Sequence, residues 1–264
     1  MKALIKIGGS LLDSPESRQR LAAEIGQAVQ GGLQAVVVHG GGKQMTRYLE
    51  ERGVESRFVN GLRVTTPEVL DAVLKVFAGS VNRELVAAFI ANGVRAVGLT
   101  GMDGLLTEAR QMNPELGRVG KPVRSDARLL NLLTENAYLP VVACVAGDPS
   151  GQFYNVNADQ MAVSVASAIE AKKLFFLTDV DGVWGQEKAI YPTITIDNCQ
   201  KLIDQGVASG GMRAKLEAAM EAMRSGVREV VIAPGGVPGI IRKLTAGSPI
   251  GTRLVAEIGV PSNG

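Results

Sequence analysis

Two lysines, one aspartate and two glycine-rich stretches are the parts of this sequence that could do chemistry. Lys6 interrupts the apolar run Ala3-Leu4-Ile5-Lys6-Ile7, where an ammonium is costly unless it meets a charge or solvent. Lys215 lies one turn into a helical pattern that follows Gly210-Gly211. Asp159 sits in Asn155-Val156-Asn157-Ala158-Asp159-Gln160. Gly8-Gly9 follows the first apolar run and Gly40-Gly41-Gly42 follows the second. Glycine between a strand and a helix lets backbone N–H groups approach an anion, and the helix N-terminus adds partial positive charge. Phosphate is the usual guest. Each part alone has a plainer reading: Lys6 as a snorkelling residue of an edge strand, Lys215 as a solvated helix residue, and residues 155–160 as an Asn/Asp turn and helix cap. Two loops at the ends of adjacent strands, one with a lysine nearby, favour the anion.

The named phosphate and hydrolase motifs do not fit. A Walker A loop needs GxxxxGK[ST], but Gly42-Lys43 is followed by Gln44 and position 37 is Val. A dinucleotide fingerprint needs a third glycine where Met45 stands. His39-Gly40-Gly41-Gly42 matches the oxyanion loop of esterases superficially, yet GxSxG is absent and His39 is the single histidine. Asp179-Val180-Asp181-Gly182 has the wrong spacing for an EF-hand and reads as a turn after a strand.

The elements that must position these residues alternate. Strand-like runs fall at residues 3–7, 35–39, 95–99, 105–109, 139–145, 174–178 and 229–233, the last clear strand. Helical patterns fall at 15–30, 43–51, 67–91, 126–136 with Asp126 as N-cap, 159–171, 211–225 and 240–245. Gly31-Gly32 reads as a helix C-cap and residues 256–264 as a frayed tail. This rhythm predicts an α/β fold, a three-layer αβα sandwich around an open, mostly parallel sheet. Ligands of such sheets bind beyond the carboxyl ends of the strands, which is where the glycines lie.

Composition bounds the class. Of 264 residues 32 are glycine, about an eighth, against an average near 7%. A hydrophobic fraction of 46% supports a sizeable core, and a net charge of +2 gives no field for nucleic acid. One histidine and two distant cysteines leave no HExxH or CxxC metal motif. Two cysteines in a long chain, no signal-peptide pattern and no apolar run near 18 residues predict a cytoplasmic protein without a membrane span.

Together these segments resemble the amino acid kinase family. The match is carried by Lys6-Ile7-Gly8-Gly9, Val38-His39-Gly40-Gly41-Gly42, Asn60-Gly61-Leu62-Arg63-Val64-Thr65, residues 155–160, Gly211-Met212-Arg213-Ala214-Lys215 and, more weakly, Thr178-Asp179-Val180-Asp181-Gly182-Val183. The second to fourth blocks resemble the branch that acts on acetylated glutamate. The resemblance implies that ATP phosphorylates the side-chain carboxylate of N-acetyl-L-glutamate, in arginine synthesis. It implies one domain of two lobes, with the acetylglutamate-binding lobe at about 1–172 and the ATP-binding lobe at about 173–264. Lys6 and Lys215 would contact the phosphoryl group in transit, and Asp159 would hold both lysines. Gly8, Gly9, Gly40 and Gly41 would surround that group with N–H donors. Gly41, Gly42, Arg63 and Asn155 would bind the acceptor. Asp179, Val180, Asp181, Gly182, Val183, Trp184, Val207, Ser209 and Met212 would line the ATP site, with Mg²⁺ carried by the nucleotide phosphates and no protein metal site.

This chemistry is coherent. A glutamate side chain is ionised at neutral pH, so the nucleophile needs no general base. Its difficulty is approach to a polyanion, since unit charges about 4 Å apart repel by roughly 4 kcal/mol at an effective dielectric of 20. Lysines, Mg²⁺ and N–H donors offset that repulsion, and Arg63 has the fork to grip a carboxylate. Arginine-inhibited members of the family carry an additional N-terminal helix that builds a hexamer; this chain opens almost on its first strand, and the expectation is an arginine-insensitive homodimer. Trp184 is expected to pack, or else to flank the nucleotide. Two competing readings are a kinase for a related acylated or carrier-bound acidic amino acid and a non-catalytic sensor on the same fold.

Overall fold

The computed structural model describes residues 1–185, 187 and 189–256. In chain order its first elements are β1 (Lys2–Ile7), α1 (Pro15–Gln30), β2 (Gln34–His39), α2 (Gly42–Glu50), β3 (Phe58–Val59) and β4 (Leu62–Arg63). Next come α3 (Pro67–Val73), a π-helical stretch (Leu74–Val81), α4 (Asn82–Ala91), β5 (Ala96–Thr100), β6 (Thr107–Gln111) and β7 (Val119–Ser125). These lead to α5 (Arg128–Glu135), β8 (Leu139–Ala143), β9 (Val145–Gly147), β10 (Phe153–Val156), α6 (Ala158–Ala168) and β11 (Lys173–Thr178). The chain closes with β12 (Thr193–Thr195), α7 (Ile196–Asp204), α8 (Gly210–Arg224), β13 (Glu229–Pro234), α9 (Ile240–Thr245) and β14 (Thr252–Val255).

Eight strands form one sheet in the order β12-β14-β13-β11-β1-β2-β8-β5. Every neighbouring pair is parallel except β13 with β14. The central strands bury mostly apolar residues because helices cover both faces, with Lys6 and His39 the polar exceptions in β1 and β2. On one side α6 packs on β1, β2 and β11, and α8 packs on α6 and β13. Lys2 reaches the same side, donating to Asn131 Oδ1 on α5 at 3.0 Å. On the other, α1 packs on α4 and α9. Local chemistry starts the helices: Ser14 accepts from Ser17 N–H ahead of Pro15, and Thr66 from Val69 N–H ahead of Pro67.

The structure removes one plainer reading and corrects several expectations. β1 lies mid-sheet between β2 and β11, so Lys6 is not an edge residue. The helix expected at 126–136 starts at Arg128 with Ala127 at the cap; Asp126 instead accepts from the N–H and guanidinium of Arg128. The run at 139–145 breaks at Cys144 into β8 and β9, and β13 is followed by β14. Strands β6, β7, β9 and β10 close into a small barrel that the alternation of runs does not show. Trp184 is 48% exposed rather than packed. The tail reading falls, from residue 257 onward, outside the described residues.

Candidate functional site

Parallel strands that all end at one rim bring distant residues together. β1 and β2 end side by side, which places Gly8-Gly9 against Gly40-Gly41-Gly42. Across the sheet face, Asn157 caps α6, its Oδ1 accepting from Asp159 N–H at 2.8 Å and Gln160 N–H at 3.3 Å. That cap sets Asp159 in the first turn, over the end of β1. Lys6 Nζ lies 2.8 Å from Asp159 Oδ1, and Lys215 Nζ lies 3.5 Å from Oδ2. Only 8% of the Asp159 and Lys6 side chains is exposed. Burial pushes the Asp159 carboxyl upward, yet the charges of Lys6 and then Lys215 outweigh it and hold the pKa below the usual value. The buried Cys144 thiol beside this group is pushed up to about 12 by burial.

The two glycine loops touch through backbone. A Cβ on Gly9 would lie 3.0 Å from Gly42 N, and one on Gly41 would lie 2.9 Å from the Phe77 ring. A side chain at either position would have to push its neighbour aside. Gly8 donates its N–H to the Leu177 carbonyl at 2.9 Å, so it stitches β1 to β11 and that donor is not offered to a ligand. Gly42 opens α2, whose first N–H groups lack intrahelical acceptors.

A cavity of about 170 Å³ opens beside this junction, walled by Gly40, Gly41, Gly42, Arg63, Phe77, Asn155 and their neighbours. Arg63 ends the β3–β4 hairpin with its guanidinium over the Phe58 ring, 4.6 Å from the centroid. It donates to Ser56 Oγ, to Thr46 Oγ1 at 2.7 Å and to Gly42 O at 3.3 Å. Burial lowers its pKa, with the Glu50 charge opposing. Asn155 donates to Thr65 Oγ1 at 3.0 Å, and Thr65 donates to Arg63 O at 2.9 Å. The acceptor residues expected from sequence thus share one wall.

The remaining expected residues fall in two segments, 179–184 after β11 and 207–212 just ahead of Lys215. Asp179 follows the end of β11; its burial raises the carboxyl pKa, but hydrogen bonds from its own backbone, Thr178 and Ser10, with the Lys215 charge, leave it lowered. Asp181 and Trp184 are exposed and Val180 is half-buried. Val183 turns a fully buried side chain into the core and donates its N–H to Thr252 Oγ1 at 2.7 Å. Gly182, at φ 152°, leaves no room for a Cβ against Ile190 and Thr252. Val207 and Met212 pack partly on the core. Ser209 caps α8 with no side-chain bond, ahead of Gly210 at φ 51°. This end of α8 is open backbone that a ligand can approach.

Residues 1–234 match the model of the amino acid kinase family. The chain belongs to the amino acid kinase family. Among its relatives, the acetylglutamate kinase of Solibacter usitatus is 58% identical over 97% of this chain and 99% of its own. The acetylglutamate kinase of Acidobacterium capsulatum is 42% identical over 97% of this chain and all of its own. Among solved structures, smu.665 of Streptococcus mutans superposes with a TM-score of 0.84 at 29% identity, over 97% of this chain and 99% of that one. The N-acetylglutamate synthase of Neisseria gonorrhoeae, solved with coenzyme A and N-acetyl-glutamate, gives 0.87 at 26% identity. This amino acid kinase covers 98% of itself but spans 60% of that synthase.

Sequence reasoning passed over three residues near this amino acid kinase's junction. Ser10 reaches Asp179, Phe77 walls the cavity, and Asn82 contacts His39. Ser10 stood beside Gly8-Gly9 and could have been read with that loop. Phe77 and Asn82 carried only a helical apolar period, and nothing local marked them.

Proposed function

We propose that this amino acid kinase transfers the γ-phosphoryl group of ATP to the side-chain carboxylate of N-acetyl-L-glutamate, giving N-acetyl-L-glutamyl 5-phosphate and ADP in arginine synthesis. The observation that carries this reading is the buried Lys6–Asp159–Lys215 group beside a small cavity holding Arg63 and Asn155. The full-length likeness to acetylglutamate kinases supports the acceptor. A carboxylate oxygen attacks the γ-phosphorus while the bond to the β,γ-bridging oxygen breaks. Lys6 and Lys215 meet the charge spread over the phosphoryl oxygens. Asp159 keeps the two ammonium groups from driving each other apart. The amides of Gly9, Gly40 and Gly41 surround the phosphoryl group. Arg63 takes the α-carboxylate of the acceptor, with Asn155, Gly41 and Gly42 around the rest.

ATP lies along residues 179–184 and 207–212, against the open start of α8. The nucleotide carries Mg²⁺ on its phosphates, which supplies further charge neutralisation. That placement fits the donor set: among the described residues no three His, Cys, Asp or Glu side chains gather as a metal site, and Asp159 is engaged by lysines. Residues 1–172 serve as the acceptor lobe, since every wall of the cavity falls between Gly40 and Ala158, and residues 173–264 serve as the ATP lobe. No helix among the described residues is long and apolar enough to cross a membrane. We place the enzyme in the cytoplasm as a homodimer; Ile90, 58% exposed on α4 beside the edge strand β5, offers it an apolar contact.

ADP release measured with acetylglutamate, free glutamate and acetylaminoadipate tests the assignment. Turnover should be fastest with acetylglutamate. No turnover there, with turnover on another acceptor, would overturn it.

A further inference from the structure

The single histidine lies directly beneath the glycine loop and no step above uses it. His39 is fully buried. Its Nδ1 is 2.8 Å from Gly40 O and its Nε2 is 2.9 Å from Asn82 Nδ2. A carbonyl oxygen only accepts, so Nδ1 carries the proton and donates to Gly40. Nε2 of the neutral ring is then an acceptor, and Asn82 Nδ2 donates to it. The second N–H of the same amide donates to Val141 O at 2.9 Å. Asn82 Oδ1 in turn accepts from the Arg83 guanidinium. Turning the amide over would set oxygen against the Val141 carbonyl, so each atom in the chain has one permitted role.

The peptide plane carries this order to the site. Gly40 C=O and Gly41 N–H belong to one planar, trans unit and point in opposite directions. A carbonyl held down on His39 therefore aims the Gly41 N–H away from the buried ring, on the loop that walls the cavity. Other residues press the loop from the side. The π-helical stretch leads straight into Asn82, and its Phe77 and Val81 close on the Cα of Gly41. Gly98 on β5 leaves bare the space that Asn82 fills, since a Cβ there would collide with Asn82 Oδ1 and the Arg83 guanidinium.

We propose that His39 and Asn82 are positioning residues for phosphoryl transfer, a buried clamp that fixes the Gly40–Gly41 peptide so that the Gly41 N–H meets the transferring group. The activity arm of this inference rests on the kinase reading above; its spectroscopic arm does not. The ¹⁵N shifts of the histidine ring, read at pH 7 in the protein without substrates, should show the proton on Nδ1. His39→Asn keeps an amide donor near the Nδ1 position. His39→Gln carries its amide outward to Asn82 and leaves the Gly40 carbonyl without a donor. His39→Gln should lower kcat about ten- to hundredfold, the scale of a small misplacement in a preorganised site. Its KM for ATP should stay within about threefold. His39→Asn should recover most of the loss. A proton on Nε2 would overturn the proposal, and so would equal kcat in His39→Gln and the parent. Equal losses in the two variants would also overturn it, since a merely structural role makes no distinction between their donors. Should His39→Gln fail to fold, the tautomer still decides. A wrong acceptor in the turnover assay leaves the tautomer measurement intact.

Discussion

Acid should weaken this fold through one side chain before the carboxylates take over. His39 is the single histidine, and its folded pKa is lowered from 6.5 to about 4. Burial is the main cause; the bond to Gly40 opposes it and the Arg83 charge adds to it. Between those two values the unfolded chain binds a proton on this ring that the folded chain excludes. Stability therefore rises with pH across the window, is fully present above the unfolded pKa, and is lost as pH falls from 6.5 toward 4. A gap of about 2.5 units is worth roughly 3 kcal/mol in full, and the linkage relation leaves roughly 2 kcal/mol lost at pH 5 relative to pH 7.5. Urea unfolding followed by circular dichroism at pH 7.5, 6 and 5 measures it. The His39→Asn protein is the comparator, because every other titrating group is common to both. The parent should lose roughly 2 kcal/mol more than the variant over that range. Parallel curves would refute the reasoning, since the ring would then titrate alike in both states.

Other outcomes follow from the same geometry. Lys6→Ala and Lys215→Ala should each lower kcat far more than they raise the acetylglutamate KM, because their contacts strengthen in the transition state; steady-state kinetics with unchanged kcat would remove that lysine from the mechanism. Arg63→Ala should mainly raise the acetylglutamate KM, and a shift in the ATP KM alone would show the substrate assignment wrong. Asp159→Asn should cost about 3–5 kcal/mol in urea unfolding, since it leaves two cations without their buried partner; a loss below about 1 kcal/mol would mean that solvent already screens them. Gly41→Ala should cost about 1–3 kcal/mol by overpacking the Phe77 ring, and Phe77→Leu in the same protein should return part of it.

Much of the frame was legible because it is local. Helices at 15–30 and 240–245 emerge with the bounds expected, the first because an apolar stripe of Leu21, Ile25 and Val29 marks it in the sequence. The long pattern at 67–91 is helical throughout, but its middle is π-helical, and no local signal distinguishes one helical hydrogen-bond pattern from the other. The barrel was not legible. β9 and β10 are short, β6 and β7 carry polar residues, and the pairs β7–β10 and β6–β9 that close the barrel join residues more than 30 positions apart. β14 escaped for a similar reason: four residues with alternate burial on a sheet flank carry little period.

Residue types decided the chemistry in outline. A lysine inside an apolar strand demands a counter-charge, and glycines at strand ends demand a close neighbour, whatever the fold does elsewhere. Only the tertiary structure decided who those neighbours are. It set Asp159 rather than solvent against Lys6, gave the Gly8 amide to Leu177, and turned Val183 into the core. It also placed His39 under the glycine loop with Asn82 to hold its tautomer. Those choices depend on which strands lie side by side and which helix crosses them. They are contacts between residues tens to hundreds of positions apart, and spacing along the chain does not encode them.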